Sequence, residues 1–269
     1  MSSIISLDKK NEHLEYIKAH INNSSRREIA KQLGIGKTTV NTWSSELGFK
    51  FKKHTVNEKF FDELTDESAY ILGYIFADGN VAWTPEKGYY TMTLTAAEKD
   101  KDHLEKIRKL MSSSKPLLYS PVTKSYRLIV NSKRICWRLM NYGVIPKKSL
   151  VVKFPFISKS LLKHFIRGVI DGDGSVLYYP RKRSPFFEIR IFSGSLDFCK
   201  GLRDAITNNT GLSSTIRKIS LNTYELRYCC SRGKKLAEYI YSGSNLFLDR
   251  KYKKYKDNVL EENKNGKKL

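Results

Sequence analysis

The chain has 269 residues, 40% of them hydrophobic, which is enough for two moderate domains or three small ones with their own cores. Its 49 Lys and Arg against 27 Asp and Glu leave a formal net charge of +22, which favours nucleic acid as the partner over the alternatives of a basic solvated face or an anionic membrane. No apolar run approaches the roughly 18 residues of a membrane span, and residues 1–10 lack the apolar core of a signal peptide, so we expect an intracellular protein with no membrane partner.

The cysteines do not suggest a metal or disulfide framework. There are four: Cys136, Cys199, Cys229 and Cys230. They form neither a C-x-x-C pair nor a cluster with a nearby histidine. We therefore expect reduced thiols in core or strand positions, and no zinc site.

Residues 25–43 predict two short helices joined by a tight turn. Ser25 and Glu28 have the spacing of a capping box, Ala30 is small where the helices would cross, and Gly34 can adopt the positive φ of the turn. An apolar inner face is formed by Ile29, Leu33, Ile35, Val40 and Trp43. The segment resembles a helix-turn-helix unit, with an ordinary helical hairpin as the alternative. In a helix-turn-helix the second helix would present to the major groove Lys37, Thr38, Thr39, Asn41 and Ser44. Residues 1–54, which end in a basic connector, are the first predicted domain.

Residues 71–79 and 166–174 repeat one pattern, an apolar helical run with an interior glycine that ends in Asp-Gly. An interior glycine costs about 1 kcal/mol relative to alanine, so Gly73 and Gly168 predict that the two helices pack closely against each other. Asp78 and Asp173 lie at the negative end of the helix dipole in both copies. Helices packed side by side would bring the two carboxylates together, and a cation would then be needed between them. The alternative is that two Asp-Gly helix stops occur by chance.

The ninety-five-residue offset continues beyond these motifs, since Asp102 and Asp197, and Arg108 and Arg203, obey it too. Strand-like runs cover residues 80–84, 89–95, 117–120 and 125–130, and then residues 175–179, 187–193, 214–219 and 224–230. Final helices are predicted near residues 134–141 and 234–241. The chain is therefore predicted to be α+β, with two pseudo-symmetric αββαββα repeats at residues 55–156 and 157–257 and a basic tail at residues 258–269. Residues 143–155, with prolines at 146 and 155, form the predicted linker between repeats.

Over about residues 66–257 this pattern resembles the LAGLIDADG homing endonucleases in their single-chain, two-repeat form. The second copy matches the family motif better, because Phe76 stands in the first copy where Asp171 stands in the second. The resemblance implies a monomer that makes site-specific double-strand breaks in DNA with Mg²⁺ or another divalent cation. In the family the acidic residue before the last glycine is catalytic and binds metal, which assigns these roles to Asp78 and Asp173.

The resemblance also implies further site residues. Backbone carbonyls of Ala77 and Gly172 are possible additional metal ligands, and Lys133 and Arg232 stand before the last helix of each repeat, where the family carries a basic residue beside the attacking water. Either basic residue could instead be solvated or clamp a phosphate.

In the family, the two sheets form a saddle over the DNA. Pleat alternation places one set of side chains on a common face of each sheet. In the first half these are Asn80, Thr84, Thr91, Thr93 and Arg127. In the second half they are Ser175, Tyr179, Arg181, Arg190 and Arg227, together with Glu188 and Glu225. Any single one of them could be merely solvated.

Three other functions share parts of this pattern. An intein would begin with a nucleophile and end with Asn, whereas this sequence begins with Met1 and ends with Leu269, so we do not expect self-splicing. An intron RNA maturase has the same fold, although a helix-turn-helix favours duplex DNA. A transcription regulator with this fold often loses one carboxylate, whereas both are present here.

Overall fold

The computed structural model describes residues 6–21, 24, 26–49, 54–146, 148–180 and 186–260. It divides into two compact units, Met1–His54 and Thr55–Leu269. Among the described residues, no helix combines the length and apolar character that crossing a bilayer requires.

The N-terminal unit contains three helices: α1 (Leu7–His20), α2 (Arg26–Leu33) and α3 (Lys37–Glu46). They enclose a small core of apolar side chains: Ile17, Ile21, Ile29, Ala30, Val40 and Trp43. Gly34 adopts φ 66° in the turn between α2 and α3. The predicted cap residue Ser25 lies outside the described residues.

Ser44 corrects the predicted DNA-contacting face of α3. It was expected to be exposed, but it is only 1% exposed, and its hydroxyl donates to the Asn41 carbonyl at 3.0 Å. The reason is helical geometry, because Ser44 lies four residues after Val40 and therefore on the buried side of the helix.

The second unit begins with the first repeat. Its elements are α4 (Asp66–Asp78), β1 (Gly79–Thr84), β2 (Tyr89–Ala97), α5 (Lys101–Leu110), β3 (Leu118–Ser120), β4 (Ser125–Val130) and α6 (Lys133–Asn141). Helix α4 starts at a capping box, in which the Thr65 hydroxyl accepts from the Ser68 N–H at 3.3 Å and the Ser68 hydroxyl accepts from the Thr65 N–H at 2.7 Å.

The second repeat has the same order of elements. They are α7 (Lys159–Asp173), β5 (Ser175–Tyr179), β6 (Phe186–Ser193), α8 (Leu196–Thr210), β7 (Ile216–Ser220), β8 (Thr223–Cys229) and α9 (Ser231–Tyr241). Strand β7 starts later than predicted because the Ser214 hydroxyl bonds to the backbone of Arg227 instead. A further helix, α10 (Asp249–Tyr255), was not predicted, and the turn that follows it buries Val259 beyond the predicted end of the repeat.

Each repeat builds one antiparallel four-stranded sheet, with strand orders β1-β2-β4-β3 and β5-β6-β8-β7. Along β2, Met92 and Leu94 point into the core, as Ile189 and Ile191 do along β6, while the residues between them form the opposite face. The structure confirms the predicted α+β architecture of two αββαββα repeats.

The four thiols are unbridged. Cys136 and Cys199 are buried, as expected for core residues. Cys230 is exposed and precedes α9 with φ 55°, so it belongs neither to the core nor to a strand.

Candidate metal centre

Two glycines allow α4 and α7 to touch along their backbones. A Cβ atom on Gly73 would lie 2.1 Å from the Phe165 carbonyl oxygen, and one on Gly168 would lie 2.0 Å from the Tyr70 carbonyl oxygen. Neither position can accept a side chain unless the helices separate. Because the contact is reciprocal, the two repeats meet around a pseudo-twofold axis.

The same contact continues to the C-terminal ends of both helices. A Cβ atom on Gly172 would lie 2.4 Å from the Ala77 Cβ and 3.6 Å from the Asp78 nitrogen. Asp78 and Asp173 are the last residues of α4 and α7. Helices in this contact therefore deliver the two carboxylates to one place, at the junction of the repeats.

Water is partly excluded around these carboxylates, although each remains open to solvent on one side. Burial raises the pKa of Asp173, and the nearby charge of Asp78 raises it further. Burial also raises the pKa of Asp78, against the opposing effects of Lys251 and Lys148. Two adjacent carboxylates that are costly to ionise form a place where a cation would be stabilising.

Lys148 and Lys251, which the sequence analysis missed, supply the positive charge that acts on this pair. Lys148 lies between the repeats and is 6% exposed, and Lys251 lies in α10 and is 3% exposed. Burial lowers the pKa of Lys148, while Asp173 and Asp78 oppose that shift. Burial lowers the pKa of Lys251 to about 8.

Lys251 is held firmly. Its Nζ donates to three backbone carbonyls, those of Ile170 at 2.7 Å, Asp171 at 2.8 Å and Gly174 at 2.7 Å. The Asp171 carboxylate in turn accepts from the Leu248 N–H at 2.8 Å, which fixes the chain just before α10. No comparable hydrogen bond from Lys148 is found within the described residues.

The basic residues predicted from the family pattern lie elsewhere. Lys133 Nζ is 5.6 Å from the centre of the Tyr90 ring, and Arg232 Nη1 donates to the Ser213 carbonyl at 3.3 Å. Both side chains are exposed, and neither contributes to the pKa shifts of the two aspartates. The structure thus brings Lys148 and Lys251, rather than Lys133 and Arg232, to the carboxylate pair.

Most of the predicted sheet residues are exposed or half-buried on the faces that point away from the core. These are Asn80, Thr84, Thr93, Arg127, Ser175, Tyr179, Arg190 and Arg227. Three of the residues assigned to these faces are instead buried: Thr91 is 3% exposed, Glu188 0% and Glu225 4%. The Thr91 hydroxyl donates to Asn131 Oδ1 at 3.4 Å, and both glutamates are ion-paired with Arg190. Arg181 lies outside the described residues.

The oxygen ligands at the helix ends suit a hard divalent cation. Mg²⁺ is commonly bound by one or two carboxylates, with water and substrate phosphates completing its coordination. Asp78 and Asp173 supply the carboxylates, and the carbonyls of Ala77 and Gly172 lie in the last helical turns, where intrahelical donors are lacking. No cluster of three or more His, Cys, Asp or Glu with metal-binding geometry occurs in the described part of the chain.

Comparison with known proteins agrees with this architecture. Residues 160–246 match the family described as the LAGLIDADG-like domain. The LAGLIDADG homing endonuclease I-LtrWI, solved bound to target DNA, superposes with a TM-score of 0.51 at 15% identity, covering 76% of this chain and 91% of that chain. A double mutant of I-SmaMI superposes with a TM-score of 0.52 at 12% identity, covering 76% of this chain and 93% of that chain. No curated protein matches the sequence significantly. Residues 160–246 are therefore similar to the LAGLIDADG-like domain, and the chain has the two-repeat fold of the LAGLIDADG homing endonucleases.

Proposed function

We propose that the protein is a site-specific endonuclease that binds duplex DNA and cuts both strands with the help of a divalent cation. The observation that carries the proposal is the meeting of Asp78 and Asp173 at touching helix ends, beside two buried lysines. I-LtrWI, which shares the fold, is a homing endonuclease solved on its target DNA. Because one chain supplies both carboxylates, a monomer suffices.

The site residues have separable roles. Asp78 and Asp173 would hold the cation, with the carbonyls of Ala77 and Gly172 as further oxygen ligands. When bound, a divalent cation polarises the scissile phosphate and favours ionisation of a bound water; we infer Mg²⁺ because its preferred ligands are these oxygens. Lys251 keeps a positive charge fixed behind Asp173, which offsets negative charge on the phosphate. Lys148, for which the described residues provide no such hydrogen bonds, would orient a water or a phosphate oxygen.

The net charge of +22 supports a polyanionic substrate. A transcription regulator with this fold would bind DNA equally well, and a maturase would bind intron RNA. The presence of both carboxylates, each with a raised pKa, favours the nuclease, because neither residue would be needed for groove binding alone.

A randomised duplex library separates these functions. The purified protein is incubated with the library with and without Mg²⁺, and bound and cleaved molecules are sequenced. The nuclease proposal predicts one preferred duplex that is bound in both conditions and cut on both strands only with Mg²⁺. Selective binding without cleavage in Mg²⁺ or Mn²⁺ would indicate a regulator, and preferential binding of intron RNA would indicate a maturase.

We also propose that the N-terminal unit adds a second duplex contact. Lys37, Thr38 and Asn41 are exposed on α3, and Thr39 is half-buried. The unit has its own core, so it can be removed as a piece. Deleting residues 1–54 should weaken binding by about 100-fold, the usual range for losing one of two linked contacts, and should shorten the nuclease footprint on one side. The cut position should not change. Full affinity and an unchanged footprint would show that the unit does not contact DNA.

A further inference from the structure

The outward face of the second sheet carries a charged cluster at its centre. Arg190 on β6 lies directly opposite Arg227 on β8, and these are the two inner strands of the sheet. Glu188, two residues before Arg190 and therefore on the same face, is 0% exposed. A buried carboxylate without partners would be costly. Here both arginines donate to it, one to each oxygen.

The two arginines use their nitrogens differently. Arg190 donates to Glu188 Oε2 through Nε at 2.9 Å, and its Nη2 lies 2.8 Å from the same oxygen. Arg227 contacts Glu188 Oε1 through Nε alone. Within the described residues, both terminal nitrogens of Arg227 are left without a partner. Its side chain is 36% exposed on the outward face of the sheet.

The first sheet has no arginine at the equivalent position, and Arg127, an exposed arginine on the same face, lies two residues away along β4. Its matching transverse row pairs Asn80 with Thr93 and Thr93 with Ile129, as the second sheet pairs Ser175 with Arg190 and Arg190 with Arg227. Ile129 therefore stands where Arg227 stands. A hydroxyl and an aliphatic side chain cannot form the paired donors of a guanidinium.

A partly exposed arginine whose two terminal nitrogens are both unpaired matches one base edge in the major groove. Guanine presents two acceptors there, O6 and N7, and bidentate donation from arginine is the commonest specific contact. The contact with Glu188 matters because an arginine that is not already held in place loses much side-chain conformational entropy when it binds DNA. We call this contact the brace. We propose that Arg227, held in place by Glu188, reads a guanine in the half-site bound by the second sheet, at a row where the first sheet has no arginine to do the same.

This inference rests on the proposed DNA binding and adds the identity of one base. The position of Arg227 distinguishes a base contact from a phosphate contact. The inner strands of a sheet laid along a groove face its floor, where base edges are displayed, whereas the outer strands lie nearer the phosphates. Arg190, with two of its nitrogens already committed, acts as the second brace of Glu188.

The test measures base preference in the absence of cleavage. Full-length protein is equilibrated with the randomised duplex library in EDTA, and preferences are compared among the wild type, Arg227→Lys, Glu188→Gln and a control, Arg217→Lys. Arg217 suits this purpose because it lies on the edge strand β7, is 57% exposed, and is 3.7 Å from Glu225 in its ion pair. Thermal unfolding of each variant verifies that it is folded.

Lysine keeps the charge but cannot donate two parallel hydrogen bonds. Arg227→Lys should therefore lose its preference for guanine at one position by roughly 5- to 150-fold, the range of a good bidentate contact, and keep the other preferences and the salt dependence. Glu188→Gln should reduce the base preference at the same position, and Arg217→Lys should leave every base preference unchanged.

Two results would overturn the inference while leaving the proposed function intact: an Arg227→Lys variant that keeps every preference, or one that binds all sequences more weakly by the same factor. Glu188→Gln provides an independent check if Arg227→Lys does not fold, since a change at other positions only would contradict the brace. A wild-type protein that selects no sequence at all would instead refute the proposed function.

Discussion

Phe76 and Asp171 occupy equivalent positions in the two repeats, ninety-five residues apart, yet their surroundings are opposite in character. Phe76 packs across the junction against Phe165, with ring centres 5.3 Å apart, and against Phe198 at 5.7 Å. Asp171 reaches across the same junction in the other direction and accepts from the Tyr70 hydroxyl at 2.8 Å. The backbone symmetry is kept, while an aromatic cluster on one side is replaced by a polar network on the other.

The polar network around Asp171 has a structural role that the aromatic cluster around Phe76 lacks. Through the Leu248 N–H, Asp171 anchors the segment that leads into α10, and α10 carries Lys251. Lys148, the other buried lysine, comes from the segment between the repeats and has no such anchor among the described residues. The two repeats are therefore symmetric where the helices and the two aspartates meet, and they differ where Lys251 is held in place.

Replacing Asp171 should have the largest effect on stability. Asp171→Leu leaves the Leu248 N–H buried without its acceptor, leaves the Tyr70 hydroxyl with only its 3.0 Å contact to His103 Nε2, and removes the carboxylate beside Lys251. We expect a loss of about 3–5 kcal/mol in the free energy of unfolding. Phe76→Leu, at the equivalent position, should lose only about 1–2 kcal/mol. Urea denaturation measures both, and equal losses would contradict the distinction between the two sides.

Replacing Gly73 or Gly168 by alanine tests the symmetric contact between α4 and α7. Gly73→Ala and Gly168→Ala should each destabilise the protein by about 3 kcal/mol, the upper end for overpacking, because the new Cβ would meet backbone. Gly88→Ala is the control. A Cβ atom at Gly88 would meet nothing within 4 Å, so the strain would come from its φ of 61° alone. We expect this variant to lose about 1 kcal/mol in the free energy of unfolding. A clearly unequal effect of the two helix variants would show that the contact is not reciprocal.

Lys148 and Lys251 should differ in how much their replacement destabilises the protein. Both Lys251→Met and Lys148→Met are expected to slow DNA cleavage by about 100-fold, because each removes a positive charge beside the reacting phosphate. Only Lys251→Met should also lower the unfolding temperature, since it removes the buried ammonium group that donates to three backbone carbonyls. Single-turnover cleavage and thermal unfolding are compared on the same samples. Destabilisation by Lys148→Met to the same extent would remove the proposed difference.

The smallest effect concerns pH. Burial lowers the pKa of His103 from 6.5 to about 4, whereas Phe198, at the equivalent position, does not titrate. The stability due to neutral His103 is complete above pH 6.5 and is lost as the pH falls toward 4, because the unfolded state binds the proton first. Between pH 7.5 and 5 this amounts to about 2 kcal/mol. His103→Gln should lose correspondingly less stability over that range. Parallel curves for wild type and variant would contradict the assignment.

Much of the fold was predictable because its signals are local. Apolar periodicity, the repeated glycines and the Asp-Gly helix ends indicate the repeat unit without knowledge of long-range contacts. The two site lysines were not predictable in this way, since each stands among other basic residues and looks solvated. A weak signal existed for Lys251, because Leu248, Lys251 and Tyr255 have helical spacing and are all buried. The burial of Thr91 depends on Asn131, forty residues away, and no local pattern reveals it.

The shared metal centre is tested by strand-resolved cleavage of the selected duplex by the wild type, Asp78→Asn and Asp173→Asn. We expect either substitution to reduce cleavage of both strands to background in Mg²⁺, because the two carboxylates would hold the cation together, and to change affinity for the duplex little. Unimpaired cleavage of either strand by one of the two variants would contradict the shared metal centre.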